Sequence, residues 1–268
     1  MAEVVKAKQP DVPGGLIGED PGEKFRYLNV LFHGFGGMGK TTACASACLD
    51  PRTAPVLVCD FEGGAPIRYA KMPKGSYTIR RINTIRDLND IYEYLRKGGH
   101  PYKSVVLDSL TEIQKLGLSV FVYGPSQGAS FMGNVINIKS AEIQHWGKSA
   151  NQMGMLVRYF RDLPMHVFFT TLTTVNKDEL TGKITYDVAL PGKQSQEVPG
   201  IPDIVGYFDV AKDAATKKDI RCIYFQPTSK FVAKDRTDAL GDVLKYEKDA
   251  PIVTQMLDLI WTAYGIAD

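Results

Sequence analysis

Short apolar runs alternate with stretches of helical periodicity through the first two thirds of the chain. After Phe25, residues 27–32 read Tyr-Leu-Asn-Val-Leu-Phe, an apolar run typical of a buried strand. Regular alternation of such runs with helical stretches is typical of βαβ units, whose strands run parallel. The predicted strands are 27–32, 55–60, 77–82, 104–108 and 165–170, and the predicted helices are 41–49, 84–97, 111–121 and 141–163.

The last third of the chain is dominated by strand patterns. We predict strands at 204–211, 220–225 and 231–234, followed by a closing helix at 249–263. Because these strands follow one another without intervening helices, we expect them to pair antiparallel. The whole pattern therefore predicts an α/β fold, with a mainly parallel sheet flanked by helices and an antiparallel hairpin extension at one edge.

The N-terminal segment differs from the rest of the chain. Residues 1–24 are rich in Pro and Gly and show no periodicity, which predicts a flexible arm. Residues 25–268 then form one domain, and a chain of 268 residues is long enough to bury a full core.

Composition and charge narrow the class of protein. Hydrophobic residues make up 44% and charged residues 23%, as in ordinary globular proteins. Lys and Arg total 32 against 30 Asp and Glu, so global charge gives no argument for nucleic acid. No apolar run reaches the roughly 18 residues of a membrane helix. The four cysteines complete no paired metal-ligand pattern, so we expect reduced thiols in a cytoplasmic protein without membrane contact.

A complete phosphate-loop motif follows the first predicted strand. Residues 34–41 read Gly-Phe-Gly-Gly-Met-Gly-Lys-Thr, which fits G-x-x-x-x-G-K-[ST] between a strand and a helix. Backbone N–H groups of such a loop surround a β-phosphate, while Lys40 reaches the β- and γ-phosphates and Thr41 offers its hydroxyl to Mg²⁺. The predicted nucleotide contacts in this segment are Gly34, Phe35, Gly36, Gly37, Met38, Gly39, Lys40, Thr41 and Thr42.

Two acidic residues end other predicted strands. Asp108 follows Val-Val-Leu and is expected to hold the magnesium shell, although it would also suit the cap of the next helix. Glu62 follows the second strand, and the carboxyl ends of parallel strands meet at one crevice of the sheet. A carboxylate there can take the proton of an attacking water, so we predict Glu62 as the general base. The alternative is an exposed Glu in a turn.

Together these motifs resemble the RecA-like P-loop ATPases. Within that group the chain most resembles a phage-encoded branch, the Sak-type single-strand-annealing ATPases, over residues 25 to 262. The motifs that carry this finer resemblance are Asp60 to Gly64 (D-x-E-G-G), Pro191 to Lys193 (P-G-K) and Lys234 to Arg236 (K-D-R).

The resemblance implies further roles. Glu62 corresponds to the catalytic glutamate, and Thr170 and Thr171 lie where related proteins place a polar γ-phosphate sensor. Residues 172–198 correspond to a mobile DNA-binding loop, yet here they mix lysines with acidic residues, and a DNA loop is usually basic. The clearest basic stretch is 68–103, for which a phosphate-binding patch and a solvated helix face are open alternatives.

Lys234 and Arg236 form the last predicted feature. Strand alternation places both on one face, where they are either solvated edge charges or functional cations. Their spacing resembles the paired cations that RecA-like rings and filaments insert into a neighbour's nucleotide site, where such a group stabilises the transition state. On that resemblance we expect ATP to drive self-association.

The resulting expectation is an ATPase that uses ATP and Mg²⁺ in phage DNA recombination or single-strand annealing. Its expected partners are single-stranded DNA, further copies of the chain and a recombination protein. The alternative is an ATP-controlled assembly switch that binds protein partners without DNA.

Overall fold

A mainly parallel sheet with helices on both faces forms the described part of the chain. The computed structural model describes residues 24–123, 143–212, 217 and 219–267. The strands are β1 Asn29–Gly34, β2 Val56–Asp60, β3 Tyr77–Arg81, β4 Ser104–Asp108, β5 His166–Lys177, β6 Ile184–Val188, β7 Ile204–Lys212, β8 Asp219–Tyr224, β9 Lys234–Asp235 and β10 Val243–Tyr246. The helices are α1 Lys40–Ala45, α2 Ala65–Tyr69, α3 Ile85–Lys97, α4 Leu110–Tyr123, α5 Ile143–Arg161, α6 Gln194–Glu197 and α7 Ile252–Tyr264.

The strand order confirms the predicted fold class. It runs β10-β8-β7-β1-β5-β4-β2-β3, and the six strands from β7 to β3 are parallel. Strands β8 and β10 pair antiparallel at one edge, while β6 pairs with β5 and β9 with β7. One strand, β5, separates β1 from β4, so this is the RecA-like arrangement of an α/β P-loop fold.

Alternation along β1 divides the core into two layers. Val30 and Phe32 pack on one face of the sheet, with α1 and α7, whereas Leu31 packs on the other with α3, α4 and α5. Helix α7 contributes a buried apolar stripe at spacings of three and four residues. Helix α3 begins at a capping box in which Thr84 and Asp87 bond each other's backbone N–H groups. Both faces of the central strands are therefore covered.

The hairpin after β5 differs from the prediction. We predicted that the strand ends at residue 170 and that a loop spans 172–198, but β5 continues to Lys177 and pairs with β6. The run of Thr and Val residues in its second half favours a strand. Asp178 stabilises the turn by accepting hydrogen bonds from the N–H groups of Leu180 and Thr181. The corresponding DNA-loop prediction therefore falls on a β-hairpin and the short helix α6.

The predictions for the cysteines, the short elements and the N-terminal arm have different outcomes. All four cysteines are free and buried, as expected. Helix α2 and strand β10 were not predicted, since both are too short to show periodicity. The predicted arm lies outside the described residues, except for Lys24. Within the described ranges, no helix combines the length and apolar character needed to cross a membrane.

Candidate functional site

The phosphate loop connects β1 to α1, and its glycines have geometric reasons. A Cβ at Gly34 would lie 2.9 Å from the Cβ of Phe208 on the neighbouring strand β7. Gly39 has φ of 106°, a left-handed conformation that L side chains rarely adopt. Close strand packing therefore requires glycine at the start of the loop, and backbone conformation favours it at the end.

Lys40 lies buried beneath the start of the loop. Its Nζ donates hydrogen bonds to the carbonyl oxygens of Gly34 at 2.8 Å and Phe35 at 3.0 Å. Burial lowers the pKa of Lys40 from its ordinary value, while the negative charges of Asp108 and Glu62 oppose that shift. A desolvated cation beside glycine-rich backbone is suited to contact phosphate oxygens.

Asp108 connects the phosphate loop to the strand ends. The Thr41 hydroxyl donates to its Oδ2 at 2.7 Å, and the Thr170 hydroxyl donates to its Oδ1. A hydroxyl beside a carboxylate provides the hard oxygen donors that Mg²⁺ prefers, together with phosphate oxygens and water. No cluster of three or more His, Cys, Asp or Glu suited to a metal occurs among the described residues.

Glu62 lies beside Asp108 because β2 and β4 are neighbours with Asp60 opposite Asp108. The Ser109 hydroxyl donates to Oε1 of Glu62 at 2.6 Å. Buried Asp60 accepts hydrogen bonds at Oδ1 from the backbone N–H groups of Glu62 at 3.1 Å and Gly63 at 2.7 Å. The turn and the carboxylate are thus fixed separately, by Asp60 and by Ser109.

One cavity of about 200 Å³ brings most of the predicted site together. Thr170 does not line it: this residue is fully buried, and its hydroxyl contacts Asp108. Thr171 does line the cavity, although it is equally buried and its hydroxyl lies 2.9 Å from that of Thr111. The cavity residues are Gly36, Gly37, Gly39, Lys40, Thr41, Thr42, Glu62, Gly64, Arg68, Asp108, Ser109, Thr171 and Leu172.

Three arginines of the basic stretch 68–103 lie in different local settings. Arg68 lines the nucleotide cavity, and it forms no ion pair with any residue that the structure describes. Arg81 lies 3.6 Å from the Asp60 carboxylate, and Arg96 pairs with Glu93 at 2.7 Å. Arg68 and Ser109 were not predicted as site residues, although Ser109 follows Asp108 directly.

Lys234 and Arg236 lie away from the cavity of their own chain. Lys234 lies opposite Val205, and the Arg236 N–H bonds the carbonyl of Asp203, just before β7 begins. The register of β7 with β1 places Val205 three residues, about 10 Å, and Asp203 five residues, about 17 Å, from Phe208, which lies opposite Gly34.

Both side chains are bonded within the chain. Lys234 Nζ donates to the carbonyl of Pro199 at 2.8 Å, and Arg236 contacts the Asp203 carboxylate at 3.2 Å. Burial lowers the pKa of Lys234 to about 8, and neighbouring Arg236 and Arg161 add to the shift. The predicted pair is therefore together, but it does not contribute to the cavity in cis.

Comparisons with known proteins identify the family of the chain but no curated relative. A search of the curated proteins finds no match. A solved structure, a KaiC-like protein from the hyperthermophilic archaeon Pyrococcus horikoshii OT3, is similar with 16% identity and a TM-score of 0.44, over 83% of this chain and 86% of that one. The model of the AAA domain family matches residues 26–237, which include the phosphate loop, Glu62 and Asp108. The family match confirms the predicted P-loop ATPase domain, the Sak-type branch stays a prediction, and the chain belongs to the AAA domain family.

Proposed function

We propose that the chain binds ATP with Mg²⁺ and hydrolyses it, with Glu62 as the general base. The observation that carries this proposal is the Glu62 carboxylate, held by Ser109 on the cavity that also contains the phosphate loop. Its second oxygen accepts a proton from water as the water oxygen attacks the γ-phosphorus and ADP leaves. Lys40 neutralises phosphate charge, and Thr41 and Asp108 are the residues that would hold Mg²⁺, which neutralises charge developing on the phosphate oxygens.

In this proposal, Lys234 and Arg236 of a second copy of the chain complete the site. Lys234 and Arg236 do not line the cavity of their own chain. Their contacts with Pro199 and Asp203 equally suit a purely structural role. The resemblance to RecA-like assemblies supports the role in trans, and ATP-dependent self-association would follow from it.

The cellular role that we propose is phage DNA recombination or single-strand annealing. It is supported by the ordered set of motifs that resemble the Sak-type ATPases. The charges of the described residues add no support for DNA contact. DNA contact therefore has to be tested directly.

An assembly switch that binds proteins is the second candidate. Its support is the hairpin of β5 and β6, which exposes Val175, Leu180 and Ile184, with Leu180 98% exposed. Apolar side chains at the end of a hairpin suit a protein surface better than a phosphate backbone. The acidic and basic residues of this hairpin are mixed, which also disfavours DNA.

One experiment separates these candidates. The ATPase rate of the full chain is measured with and without single-stranded DNA, at low and at moderate salt, with saturating ATP. Stimulation by DNA that weakens with salt supports the recombination role, because phosphate contacts release counterions. Hydrolysis that DNA does not stimulate, together with no gel shift, supports the switch. Absence of both ATP binding and hydrolysis would overturn the ATPase itself.

A further inference from the structure

The outer side of the phosphate loop is held by two residues from the antiparallel edge. Arg221 on β8 donates from Nη1 to the carbonyl oxygen of Met38 at 3.2 Å, and the Tyr246 hydroxyl on β10 donates to the same oxygen at 3.3 Å. Arg221 and Tyr246 lie directly opposite each other in the β8–β10 ladder. Burial raises the pKa of Tyr246, and adjacent Arg221 opposes the shift, so the tyrosine stays a neutral donor.

The carbonyl that they hold belongs to the same peptide group as the Gly39 N–H. That peptide is trans, so its C=O and N–H point in opposite directions. Gly39 lines the nucleotide cavity, and its N–H has no hydrogen-bond partner in the described ranges of the chain. A carbonyl fixed on the outer side of the loop therefore directs this N–H toward the cavity.

Hydrogen bonds through one peptide group strengthen one another. A donor on the carbonyl oxygen, above all a cationic guanidinium, draws electron density from the amide and makes its N–H a stronger donor. The close approach extends to Gly39 itself, where a Cβ would lie 3.5 Å from Tyr246 Oη and 3.9 Å from Arg221 Nη1.

We propose that Arg221 and Tyr246 are positioning residues for phosphate binding, which orient and polarise the Gly39 N–H through the Met38 carbonyl. The proposal rests on the proposed nucleotide function and adds two residues that the phosphate-loop motif does not contain. The ligand chemistry is the β-phosphate of a nucleotide, and inorganic tripolyphosphate is the probe that isolates it.

The test compares Arg221→Gln and Tyr246→Phe with matched controls on the same strands. Lys245→Gln removes an exposed cation from β10, and Tyr224→Phe removes a hydroxyl on β8 whose ring contacts Tyr207 and Phe231 rather than the loop. Calorimetry gives the Kd of ATP and of tripolyphosphate, and steady-state kinetics give KM and kcat. Circular dichroism and thermal melting verify that each variant folds.

We expect Arg221→Gln to weaken both ligands about tenfold and Tyr246→Phe about threefold, the sizes typical of a charged and a neutral hydrogen bond. The double variant should lose more than the product of the two, since each donor alone still holds the carbonyl. KM should rise with Kd while kcat stays within about threefold, because the β-phosphate contact is the same in ground and transition states. Arg221→Lys should recover part of the affinity.

A spectroscopic readout separates orientation from general stability. In wild type, tripolyphosphate should move the Gly39 amide proton downfield, and the shift should shrink in Arg221→Gln. Equal effects of Arg221→Gln and Lys245→Gln would overturn the proposal, as would weakened ATP binding with unchanged tripolyphosphate binding. A wild type that binds neither ligand would overturn the nucleotide function itself, and the inference with it.

Discussion

Replacing Glu62 with Gln tests the general base with little structural disturbance. The amide oxygen of Gln can still accept the Ser109 hydrogen bond that Glu62 receives at 2.6 Å. The bonds from Asp60 go to backbone N–H groups, so the turn around Gly63 is retained as well. What disappears is the ability to take a proton from water.

The expected loss is confined to the chemical step. A general base contributes about 10²–10⁴-fold, which corresponds to roughly 2.7–5.5 kcal/mol of transition-state stabilisation. ATP affinity should be unchanged or higher, since one negative charge beside the polyphosphate is removed. Single-turnover hydrolysis and a binding isotherm measure the two quantities separately, and Glu93→Gln, at an exposed position of α3, is the matched control.

Two results would contradict the assignment of Glu62 as the general base. If Glu62→Gln hydrolyses ATP within threefold of wild type while Asp108→Asn does not, Glu62 is not the base. If Glu62→Gln also loses ATP affinity, the carboxylate holds the loop structure together and the separation argued from Asp60 and Ser109 is wrong.

Three other predictions test neighbouring parts of the structure. Lys40→Ala should abolish ATP binding in calorimetry without lowering the free energy of unfolding, because burial already lowers the pKa of this ammonium; a large loss of stability would contradict this. If Lys234 acts in trans, the rate should rise with protein concentration and fall as pH rises through about 8, where the lysine loses its charge, and Lys234→Arg should remove that pH dependence. Burial lowers the pKa of His166 from 6.5 to about 4, so its neutral form stabilises the fold above pH 6.5 and that stability is lost toward pH 4. Between pH 7 and 5, wild type should lose about 2 kcal/mol more than His166→Gln in urea unfolding, and equal losses would refute the assignment.

The sequence was sufficient wherever the signal was local. The phosphate loop is contained in residues 34–41, and Asp108 directly ends an apolar strand. Glu62 required one more step, the rule that parallel strands end at a common crevice, and the pairing of Asp60 with Asp108 confirms it. The hairpin extension followed from consecutive strand patterns without helices between them.

Prediction failed where an element depends on its partner. The second half of β5 is a strand because β6 pairs with it, and β10 exists through its ladder with β8. The strand predicted at 231–234 is instead the two-residue β9, and its pairing with β7 depends on residues far away in the chain. Contacts such as Arg221 to Met38 join residues far apart in the chain, and no local pattern encodes them.

The placement of the arginines also determines how salt effects must be interpreted. Arg68 lines the cavity, and Arg221 lies behind the phosphate loop, so cations from two distant parts of the chain border the proposed nucleotide site. Lys40, Arg68 and Arg221 carry three formal positive charges around this site, against two negative charges on Glu62 and Asp108, so the site attracts an anionic magnesium-bound nucleotide. Salt will therefore weaken ATP binding even where no DNA is present. A salt-sensitive rate at limiting ATP thus says nothing about DNA, whereas salt-sensitive stimulation at saturating ATP does.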